Sequence, residues 1–595
     1  MASYVADFET TTNKDDCRVW AYAVCEVDNP DNIVIGTTID EFMLWCMKPK
    51  ENHKVYFHNL KFDCQFIITW LFKQGYTHVT DRKFLETKTF TTLISDKGLY
   101  YSIEVIFYRN GKNVNKVTFV DSLKLIPLSV KAIAESFHLP ISKLEIDYDS
   151  HNNLPVGSLL TQEEIDYITN DVKIVAYAIK YFVDQGLDKM TIGSCAMNEY
   201  KKIIKRKNFD RWFPTPKYHD DVKQSYRGGF TYLNPKFANK VIGCGIVLDV
   251  NSLYPSVMYN SYLPYGRPIF FQGEYKEDVL YPLYTQMFRC QFEIKPGKIP
   301  TIQIKHGGGF QENEYLTNSK GKEVTLCLNS VDLKLFFEQY NVYGIEYISG
   351  WKFKGTRGLF KDYIDKWSGN KIKAKEDGNH GLYLISKLFL NSLYGKFGTD
   401  NKVRSKIPYF DGENIHYQLG EYEHRDGIYI ALASFITSNA RLITISSAQK
   451  ITDDYNEGKS DIQFVYADTD SLHCISPNFE LPQGLEIDST KLGAWDFESK
   501  FIKAKFLRQK CYIEKEIIKE SKYLEGIEGE RSFLYSKDKT NYYKLKITVA
   551  GMPSACYKYV NFKNFKVGAS YKGKMQPKNV PGGVILQEVD FTIKE

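Results

Sequence analysis

Two aspartates lie in a short polar segment between two apolar runs, in Gln463-Phe-Val-Tyr-Ala-Asp-Thr-Asp-Ser-Leu-His-Cys-Ile475. The first run favours a strand and the second can return as another, which puts Asp468 and Asp470 at a hairpin tip. Two carboxylates at one tip repel each other unless a cation binds, and oxygen ligands of this kind suit Mg²⁺ or Mn²⁺. A solvated turn is the alternative, because Asp and Ser are common in turns.

A further acid, Asp249, ends the apolar segment Gly245-Ile-Val-Leu-Asp249 and is the expected partner of Asp470. The segment is predicted to be a buried strand, followed by Ser252, which could cap a short helix. An acid at a strand end, beside exposed backbone N–H groups, can hold a metal-bound triphosphate. The two segments together predict a metal-dependent nucleotide site.

Four more carboxylates and a tyrosine are spread over the N-terminal third of the chain. Asp7 and Glu9 are two apart in a strand-like segment, so both face one side of the strand. Asp63 follows a second strand-like start, and Tyr167 and Asp171 are four apart on one face of a helical run over 163–182. Such a set could hold two metal ions that activate a water against a phosphodiester. Surface acids on an α/β domain are the alternative for each of them alone.

A lysine-rich, helical stretch lies between residues 361 and 397. Lys387, Asn391 and Tyr394 fall at i, i+4 and i+7, so one helix face offers a cation, an amide and an aromatic ring. These groups could grip a nucleotide, with charge for the phosphates and a flat surface for the base. An amphipathic core helix is the alternative, and both interpretations can hold for different sides of one helix.

Three further segments could contact a nucleic-acid backbone. Tyr226-Arg-Gly-Gly-Phe230 places paired glycines beside Tyr and Arg, although a plain β-turn is the alternative. In Arg508-Gln-Lys510-Cys-Tyr512, the basic side chains of Arg508 and Lys510 and the ring of Tyr512 would lie on one face if the segment were extended. The basic, aromatic-containing tail over 558–578 suits tracking a duplex, with a solvated strand as the alternative.

Several domains must position these residues, since 595 residues exceed what one core supports. The net charge of +6 excludes a histone-like polycation, so any nucleic-acid path must be a local groove. The 11 cysteines contain no Cys-x-x-Cys pair, and an odd count argues against a full disulfide framework. No apolar run is long enough to span a bilayer, and no signal-peptide pattern begins the chain. We expect a soluble, intracellular protein.

The motifs occur in a fixed order: Asp249-x-x-Ser-Leu-Tyr-Pro, Lys387-x-x-x-Asn-Ser-Leu-Tyr-Gly and Tyr466-x-Asp-Thr-Asp-Ser follow the N-terminal acids. The N-terminal set resembles Asp-Glu-Asp-Asp 3′–5′ exonucleases of the tyrosine type. The whole chain resembles family B DNA polymerases, and most closely the protein-primed enzymes of small Bacillus phages, the phi-twenty-nine type. The resemblance implies an α/β and α+β multidomain fold, with a ribonuclease H-like 3′–5′ exonuclease domain and a right-hand polymerase that carries two terminal-protein-region insertions.

The resemblance also implies a division of the chain. It consists of an exonuclease domain at 1–190, palm at 191–263, an insertion contacting terminal protein at 264–356, fingers at 357–399, a strand-displacement insertion at 400–426, palm again at 427–535 and thumb at 536–595. The segment 516–543 matches the family poorly, which leaves the thumb boundary open. Tyr383 stands where the closest relatives carry a lysine, whose phosphate contact Lys371, Lys373 or Lys375 could supply.

Residue roles follow from the same resemblance. In the polymerase site, Asp249, Asp468 and Asp470 are implied to be catalytic and to hold metal with the Val250 carbonyl. In the exonuclease site, the implied ligands are Asp7, Glu9, Asp63 and Asp171, with Glu145 as an additional acid, and Tyr167 orients the attacking water. The implied nucleotide contacts are Tyr254, Lys375, Lys387, Asn391 and Tyr394. The implied DNA contacts are Thr10, His58, Asn59, Phe62, Ser122, Leu123, Lys143, Tyr226, Arg227, Gly228, Gly229, Ser252, Thr437, Arg441, Lys510 and Tyr512.

The implied function is a template-directed, protein-primed DNA polymerase with a proofreading exonuclease and strand displacement, which replicates a linear phage genome. It would use two Mg²⁺ or Mn²⁺ ions per active site, dNTPs, primer-template and single-stranded DNA. Its protein partner would be a terminal protein, in a heterodimer in the cytoplasm of a bacterial host, without a membrane. The alternatives are a 3′–5′ exonuclease whose polymerase-like half only clamps DNA, and a non-catalytic single-strand binder.

Overall fold

The structure is a computed structural model that describes residues 2–48, 52–111, 113–215, 218–305, 313–425, 428–518, 535–537 and 542–594. The poorly matching segment 516–543 lies mostly outside these residues, as do 306–312 of the first predicted insertion and 426 of the second. The eleven cysteines all lie inside them as free thiols. Among the described helices, none is long and apolar enough to cross a bilayer.

The N-terminal domain is built on a mixed sheet to which eight strands contribute in the described residues. Its strands are β1 Ala2–Thr10, β2 Val19–Glu26, β3 Ile33–Gly36, β4 His53–Phe57, β5 Thr77–His78, β6 Thr89–Ile94, β7 Tyr100–Asn110 and β8 Asn113–Asp121. Its helices are α1 Ile39–Met47, α2 Leu60–Lys73, α3 Val130–Phe137 and α4 Gln162–Asp184. The order is β3-β2-β1-β4-β8-β7-β6-β5, with β1, β4 and β8 parallel. Strand β1 is therefore central in the sheet.

Helix α4 begins at a capping box in which Thr161 and Glu164 bond each other's backbone N–H groups. It packs on β1 and β2, and its buried face includes Tyr167, Ile168 and Asp171. The predicted helical run over 163–182 is thus confirmed as a helix. Because α4 crosses the sheet over β1, it brings Tyr167 and Asp171 towards Asp7 and Glu9.

The rest of the chain continues in order. First come α5 Ile192–Ile203, α6 Arg206–Trp212, α7 His219–Lys223, β9 Thr231–Leu233, β10 Val241–Ile242, β11 Gly245–Val250 and α8 Leu253–Asn260. Next are β12 Leu263–Gln272, β13 Leu283–Ile294, β14 Gln303–Lys305, β15 Asn313–Tyr315, β16 Val324–Asn329, α9 Ser330–Gln339 and β17 Tyr340–Thr356. They are followed by α10 Lys361–Glu376, α11 His380–Phe397, β18 Lys402–Val403, β19 Lys406–Phe410, β20 Ile415–Leu419 and β21 Glu423–His424. The chain ends with α12 Ile430–Asn456, β22 Gln463–Asp468, β23 Ser471–Ile475, β24 Trp495–Arg508, β25 Cys511–Ile518, β26 Tyr535–Lys537, β27 Tyr542–Val549, β28 Ser570–Val580 and β29 Gly583–Thr592.

A large antiparallel sheet forms the centre of the second half, with the order β26-β27-β25-β24-β11-β23-β22-β9 and β10 beside β24. Its strands β22 and β23 are the two runs predicted around the aspartate pair, so the predicted hairpin is confirmed. Helix α12 packs on β22, and Phe464 and Ala467 of β22 belong to one apolar core with buried side chains of α8, α11 and α12. The acids of β11 and of the hairpin are thereby placed on adjacent central strands.

Two separate pieces interrupt this sheet. Residues 263–356 contain a sheet of their own with the order β12-β17-β13-β16, and residues 402–424 form two ribbons, β18–β21 and β19–β20. Strand β27 pairs with β25 and β26 pairs with β27, so residues 535–537 and 542–549 belong to the central sheet. The β28–β29 ribbon is the C-terminal piece outside that sheet.

Candidate active sites

The first candidate site is a cleft of about 480 Å³ on the central sheet. Asp249 pairs with Ser471 across β11 and β23, and the backbone N–H of Val250 donates to the Asp470 carbonyl oxygen at 2.8 Å. Residues that oppose each other on neighbouring strands have Cβ atoms about 5 Å apart. The structure therefore brings Asp249, Asp468 and Asp470 into one cleft, although 219 positions separate Asp249 from Asp468.

Like charges and burial shape the electrostatics of this cleft. Burial, and then the charges of Asp470 and Glu498, raise the pKa of Asp249 to about 7. Burial also raises the pKa of Asp470, with Asp468 adding to the shift and Lys510 opposing it. Carboxylates whose pKa values are raised by burial and by neighbouring negative charges gain most from a cation. The cleft is a site for positive charge.

Lys510 provides a protein cation at the edge of this cleft. Its Nζ lies 2.6 Å from Asp468 Oδ1, and its backbone N–H donates to the Tyr466 hydroxyl at 2.9 Å. Residues 508–512 would share one face only if they were extended, and they are not, because Arg508 pairs with Cys511 and the chain turns at 509 and 510. The turn gives Lys510 a left-handed backbone with a φ of 51°. Tyr512 follows on β25 and also lines the cleft.

Sequence reasoning missed Glu498 and Lys546, which line the same cleft. Glu498 raises the pKa of both Asp249 and Asp470, and Lys546 Nζ lies 3.3 Å from Glu498 Oε1. The sequence does hold a signal for Glu498, since Asp496 and Glu498 are two apart, like Asp7 and Glu9. Lys546 carries no such signal, because only the pairing of β27 with β25 brings it near.

The predicted nucleotide contacts lie on α8, α10 and α11. Lys387 and Asn391 are exposed one turn apart on α11, and Lys375 is exposed on α10. Tyr394 stacks on Tyr254 of α8, with ring centroids 4.0 Å apart and planes 20° apart. Those two side chains therefore meet, while the roles of all five in nucleotide binding stay predictions.

Two details of this region differ from simple expectation. Ser252 occupies the residue before α8, but it has a φ of 54° and makes no side-chain cap. The predicted cap by its hydroxyl is therefore wrong, because a left-handed backbone turns the side chain away from the first N–H groups. Tyr383 lies beneath Lys371, whose Nζ is 6.0 Å from the ring centroid.

The Tyr226-Arg-Gly-Gly segment lies directly against the aspartate hairpin. The Thr469 N–H donates to the Phe230 carbonyl at 2.7 Å, and the Thr469 carbonyl accepts from the Thr444 hydroxyl at 2.7 Å. A Cβ on Gly229 would lie 2.7 Å from side-chain atoms of Thr469, whereas one on Gly228 would meet nothing within 4 Å. Gly229 thus permits the close approach that fixes the hairpin tip.

We expect Gly229→Ala to destabilise the protein by about 1–3 kcal/mol, since the new methyl group collides with the side chain of Thr469, whose backbone is hydrogen-bonded on both sides. Thermal unfolding measures this effect. Gly228→Ala is the matched control and should unfold within about 0.5 kcal/mol of the wild type. Equal unfolding temperatures for the two variants would show that Thr469 yields without cost.

Three predicted DNA contacts around this segment are engaged within the protein. Arg441 is 5% exposed, pairs with Asp332, and donates to the carbonyls of Arg227 and Gly228 at 2.8 and 2.6 Å. Arg227 donates to the Cys327 carbonyl at 3.0 Å, and Thr437 is 1% exposed. These side chains support the loop that carries Tyr226, and a direct contact of any of them with DNA stays a prediction.

The second candidate site is a cavity of about 780 Å³ beside β1. It is lined by Asp7 and Glu9 from β1 and by Asp63 from α2, and Asp171 interacts electrostatically with Asp7 and Glu9. Burial and then the neighbouring acids raise the pKa of Asp7 to about 7 and that of Glu9 well above its ordinary value. Burial likewise raises the pKa of Asp63 and of Asp171. The four predicted carboxylates are thus gathered in one place.

Lys143 balances this acidic group. Its Nζ bonds Asp171 Oδ2 and lies 3.2 Å from the Tyr167 hydroxyl. Burial and then the charge of Glu9 raise the pKa of Tyr167, so this hydroxyl keeps its proton. Sequence reasoning missed Tyr148, whose hydroxyl lies 3.1 Å from that of Tyr167. Glu145 is exposed, and in the described part of the chain no contact joins it to the four carboxylates.

The predicted contacts for a frayed primer end divide into two groups. Thr10, His58, Asn59 and Phe62 line the cavity. Ser122 is fully buried behind it and lies 2.9 Å from His58 Nδ1, while the Leu123 N–H donates to Asp121 at 3.0 Å. His58 is held on its other side by the Leu128 carbonyl at 2.6 Å. Ser122 therefore orients His58, and its direct contact with DNA stays a prediction.

The opposite wall of the cavity comes from distant parts of the chain. Met575, Gln576 and Pro577 of β28 and Val584 to Leu586 of β29 line it, together with Tyr417 of β20. The Tyr417 hydroxyl donates to Gln65 Oε1 at 2.9 Å. No sequence signal pointed to this wall, because it depends on the C-terminal ribbon reaching the N-terminal domain.

The donor sets of both sites fit divalent cations. Carboxylate oxygens are the ligands that Mg²⁺ and Mn²⁺ prefer, and Asp171 Oδ1 is buried without a hydrogen-bond partner among the described residues. In the same residues, no three His, Cys, Asp or Glu side chains already surround one point as metal ligands would. Lys143 and Lys510 each form an ion pair with one of these carboxylates.

The raised pKa of Asp249 predicts a pH-dependent effect of Asp249→Asn on stability. A carboxyl whose folded pKa is about 7 and whose ordinary value is 3.8 favours folding when protonated, and that contribution is lost as pH rises from about 4 to about 7. The variant lacks the titration, so its unfolding temperature relative to wild type should increase across this interval in EDTA. Thermal unfolding over this pH range checks it, and a difference that stays constant with pH would contradict the shift.

Comparisons with known proteins agree with this geometry. The family model "DNA polymerase type B, organellar and viral" matches residues 46–159 and 152–481. The chain is 44% identical over 596 residues to the DNA polymerase of Bacillus phage Nf, with 99% of each chain covered. It is 30% identical over 616 residues to that of Streptococcus phage Cp-1, covering 100% of this chain and 98% of the relative.

Solved structures give the same result. Phi29 DNA polymerase complexed with primer-template DNA matches with a TM-score of 0.90 and 43% identity, covering 100% of both chains. The complex of phi29 polymerase with primer-template DNA and incoming nucleotides matches with a TM-score of 0.89. The predicted mixed fold, with exonuclease and polymerase domains, is thereby confirmed. On these grounds the chain belongs to the type B DNA polymerases and is a DNA-directed DNA polymerase of the phi29 type.

Proposed function

We propose that this polymerase extends primers in the cleft of Asp249 and Asp470 by in-line attack of a 3′-hydroxyl on the α-phosphate of a dNTP. The pairing of Asp249 with Ser471, beside Asp470, carries the proposal. Asp249 and Asp470 would hold two Mg²⁺ or Mn²⁺ ions, with Asp468 and the Val250 carbonyl assisting. When bound, such ions lower the pKa of the attacking hydroxyl and neutralise the pyrophosphate.

Side chains around the cleft have distinct proposed roles. Lys387 of α11 and Lys375 of α10 bind the triphosphate, since both are exposed cations. Tyr394 stacks on the incoming base, and Tyr254 beneath it excludes a ribose 2′-hydroxyl. Lys510 steadies the primer terminus from its position beside Asp468. Asn391, Ser252, Tyr512 and the Tyr226 loop complete the grip on nucleotide and DNA.

The cavity beside β1 is proposed to trim mismatched primer ends by phosphodiester hydrolysis. Asp7, Glu9, Asp63 and Asp171 would hold two divalent ions that activate a water, and Tyr167 with Lys143 would orient that water. Thr10, His58, Asn59 and Phe62 hold the single-stranded end, because they line the cavity. Leu123 is a further proposed contact for that end, and Glu145 is proposed as an accessory acid.

The separate sheets support the proposed division into domains. The sheet over 263–356 is the proposed insertion that contacts terminal protein, and the ribbons over 402–424 are the proposed strand-displacement insertion. Helices α10 and α11 are the fingers. The palm extends to residue 549 because β26 and β27 pair in its sheet, so we place the start of the thumb near residue 550.

Protein priming is proposed from the likeness to phage enzymes. In initiation, a serine-type hydroxyl of a terminal protein would replace the primer 3′-hydroxyl, and the two proteins would form a heterodimer in the host cytoplasm. Phi29 polymerase binds primer-template DNA, nucleotides and single-stranded DNA in its solved complexes, and this chain is proposed to bind the same ligands.

Incubation with a primed template, dNTPs and Mg²⁺ tests the polymerase activity. We expect longer products, whereas a nuclease that merely clamps DNA could only shorten the primer, and a simple binder would be indifferent to EDTA. Transfer of label from dATP to a candidate terminal protein, with and without template, tests protein priming. Primer elongation without label transfer would support the proposed polymerase activity and contradict the proposed protein priming.

A further inference from the structure

A third cleft, of about 610 Å³, lies outside both candidate active sites. It is formed where α6, the first strand of the insertion and the last strand of the insertion meet. Four cationic side chains line it, Arg211, Arg267, Lys354 and Arg357, and all four are exposed. Trp212 and Tyr281 provide aromatic walls. No individual role is assigned above to any of these residues, and Arg267, Tyr281 and Lys354 lie in the insertion that is proposed to contact terminal protein.

The backbone builds this cleft by an irregularity between β12 and β17. Tyr265 pairs with Lys354 and Ile269 with Lys352, so residues 266–268 bulge out of the ladder and carry Arg267 to the cleft. Gly266 has a φ of 76°, and its carbonyl accepts from the buried Tyr429 hydroxyl at 2.7 Å. The cleft therefore has a fixed floor rather than a loose loop.

The charge of this cleft is one-sided. No acidic side chain lines it in the described part of the chain, and none of its four cations forms an ion pair there. Arg357 Nη1 donates to the Asn260 carbonyl at 2.7 Å, and Lys354 Nζ lies 5.7 Å from the Tyr281 ring centroid. A group of cations without a counter-charge favours an anionic ligand.

The position of the cleft relates it to the nucleotide site. Helix α8 begins after Ser252, beside the aspartates, and ends at Asn260, whose carbonyl holds Arg357. Eight helical residues span about 12 Å, so the two sites are separated by roughly one short helix. A single DNA strand could therefore extend continuously from the polymerase site to these four cations.

We propose that this cleft binds a stretch of single-stranded DNA outside the primer-template duplex. Cations that track a backbone, combined with aromatic rings on which bases stack, are the physical requirements for single-strand binding. The four cations are exposed and come from α6, β12 and the end of β17, which suits contact with several phosphates of one strand. The proposal does not depend on the metal-site assignments, because it uses none of their residues.

The test measures binding of a fluorescein-labelled oligo(dT) by anisotropy in EDTA, over a series of salt concentrations. The triple variant Arg211→Gln, Arg267→Gln, Arg357→Gln removes three positive charges. Each phosphate contact contributes about 0.7 to the salt slope for single strands, so we expect the slope to fall by about two. Affinity at about 0.1 M salt should fall about tenfold or more for the same reason.

Two controls define the result. Lys83→Gln, Lys97→Gln, Arg109→Gln makes the same change in charge on exposed residues of the N-terminal domain and should keep the wild-type slope. Arg211→Lys, Arg267→Lys, Arg357→Lys keeps the charge and should keep most of the affinity. Primer extension on a short duplex at saturating DNA should be unchanged in the Gln variant, which separates failure here from failure of the proposed polymerase site.

Two outcomes would overturn the proposal. One is that the Gln variant has the same affinity for the oligonucleotide and the same salt slope as the control variant Lys83→Gln, Lys97→Gln, Arg109→Gln. The other is displacement of the oligonucleotide by micromolar dTTP from wild type but not from the Gln variant, which would make the cleft a mononucleotide pocket.

Discussion

Replacing Asp470 by Asn is expected to abolish nucleotide addition while 3′–5′ degradation continues. The change keeps the shape of the side chain but removes one of the carboxylates that line the cleft with Asp249. A bound ion contributes several kcal/mol of transition-state stabilisation, and each ~1.4 kcal/mol is a factor of ten in rate. Single-turnover primer extension should therefore slow by about 10³-fold or more.

The same preparation should shorten a labelled single strand at the wild-type rate, because Asp470 lies in a different cleft from Asp7. Asp461→Asn provides a matched control, as an exposed acid just before β22. It should leave both activities intact. Extension by the Asp470 variant at the wild-type rate would refute the assignment of the polymerase site.

Replacing Asp7 by Asn should have the reciprocal effect and should also stabilise the protein. Burial and the neighbouring acids raise the pKa of Asp7 to about 7. At about pH 8 the carboxyl of Asp7 is therefore ionised in the metal-free protein, and its negative charge destabilises the fold through burial and repulsion. A neutral amide removes that repulsion from Glu9 and Asp63, which both feel the charge of Asp7. We expect a higher unfolding temperature in EDTA, together with a loss of exonuclease activity of about 10³-fold or more.

Degradation of a labelled single strand with Mg²⁺ and thermal unfolding without it measure the two effects. Primer extension should be unchanged, which distinguishes a lost site from a damaged fold. Asp15→Asn, an exposed acid of the same domain, should change neither quantity. An Asp7 variant with a lower unfolding temperature than wild type would contradict this prediction, because it would show that Asp7 stabilises the fold.

The sequence determined the local geometry of both sites. The two-residue spacing of Asp7 and Glu9, the four-residue spacing of Tyr167 and Asp171, and the hairpin around Asp468 and Asp470 depend on strand and helix periods. These periods are set within a few residues. The predicted elements over 163–182 and 463–475 are therefore present in the structure.

The tertiary structure decided which other side chains lie next to those residues. Glu498 and Lys546 enter the polymerase cleft because β24 and β27 join the same sheet, and Lys510 reaches Asp468 from a turn rather than a straight strand. Arg441 is buried by its pairing with Asp332 of the insertion.

The C-terminal ribbon closes the exonuclease cavity from more than 500 positions away in the chain. The periodicity of a helix or strand determines on which face of that element a side chain lies. Which elements become neighbours depends on burying apolar surface over the whole chain, and no local spacing records that.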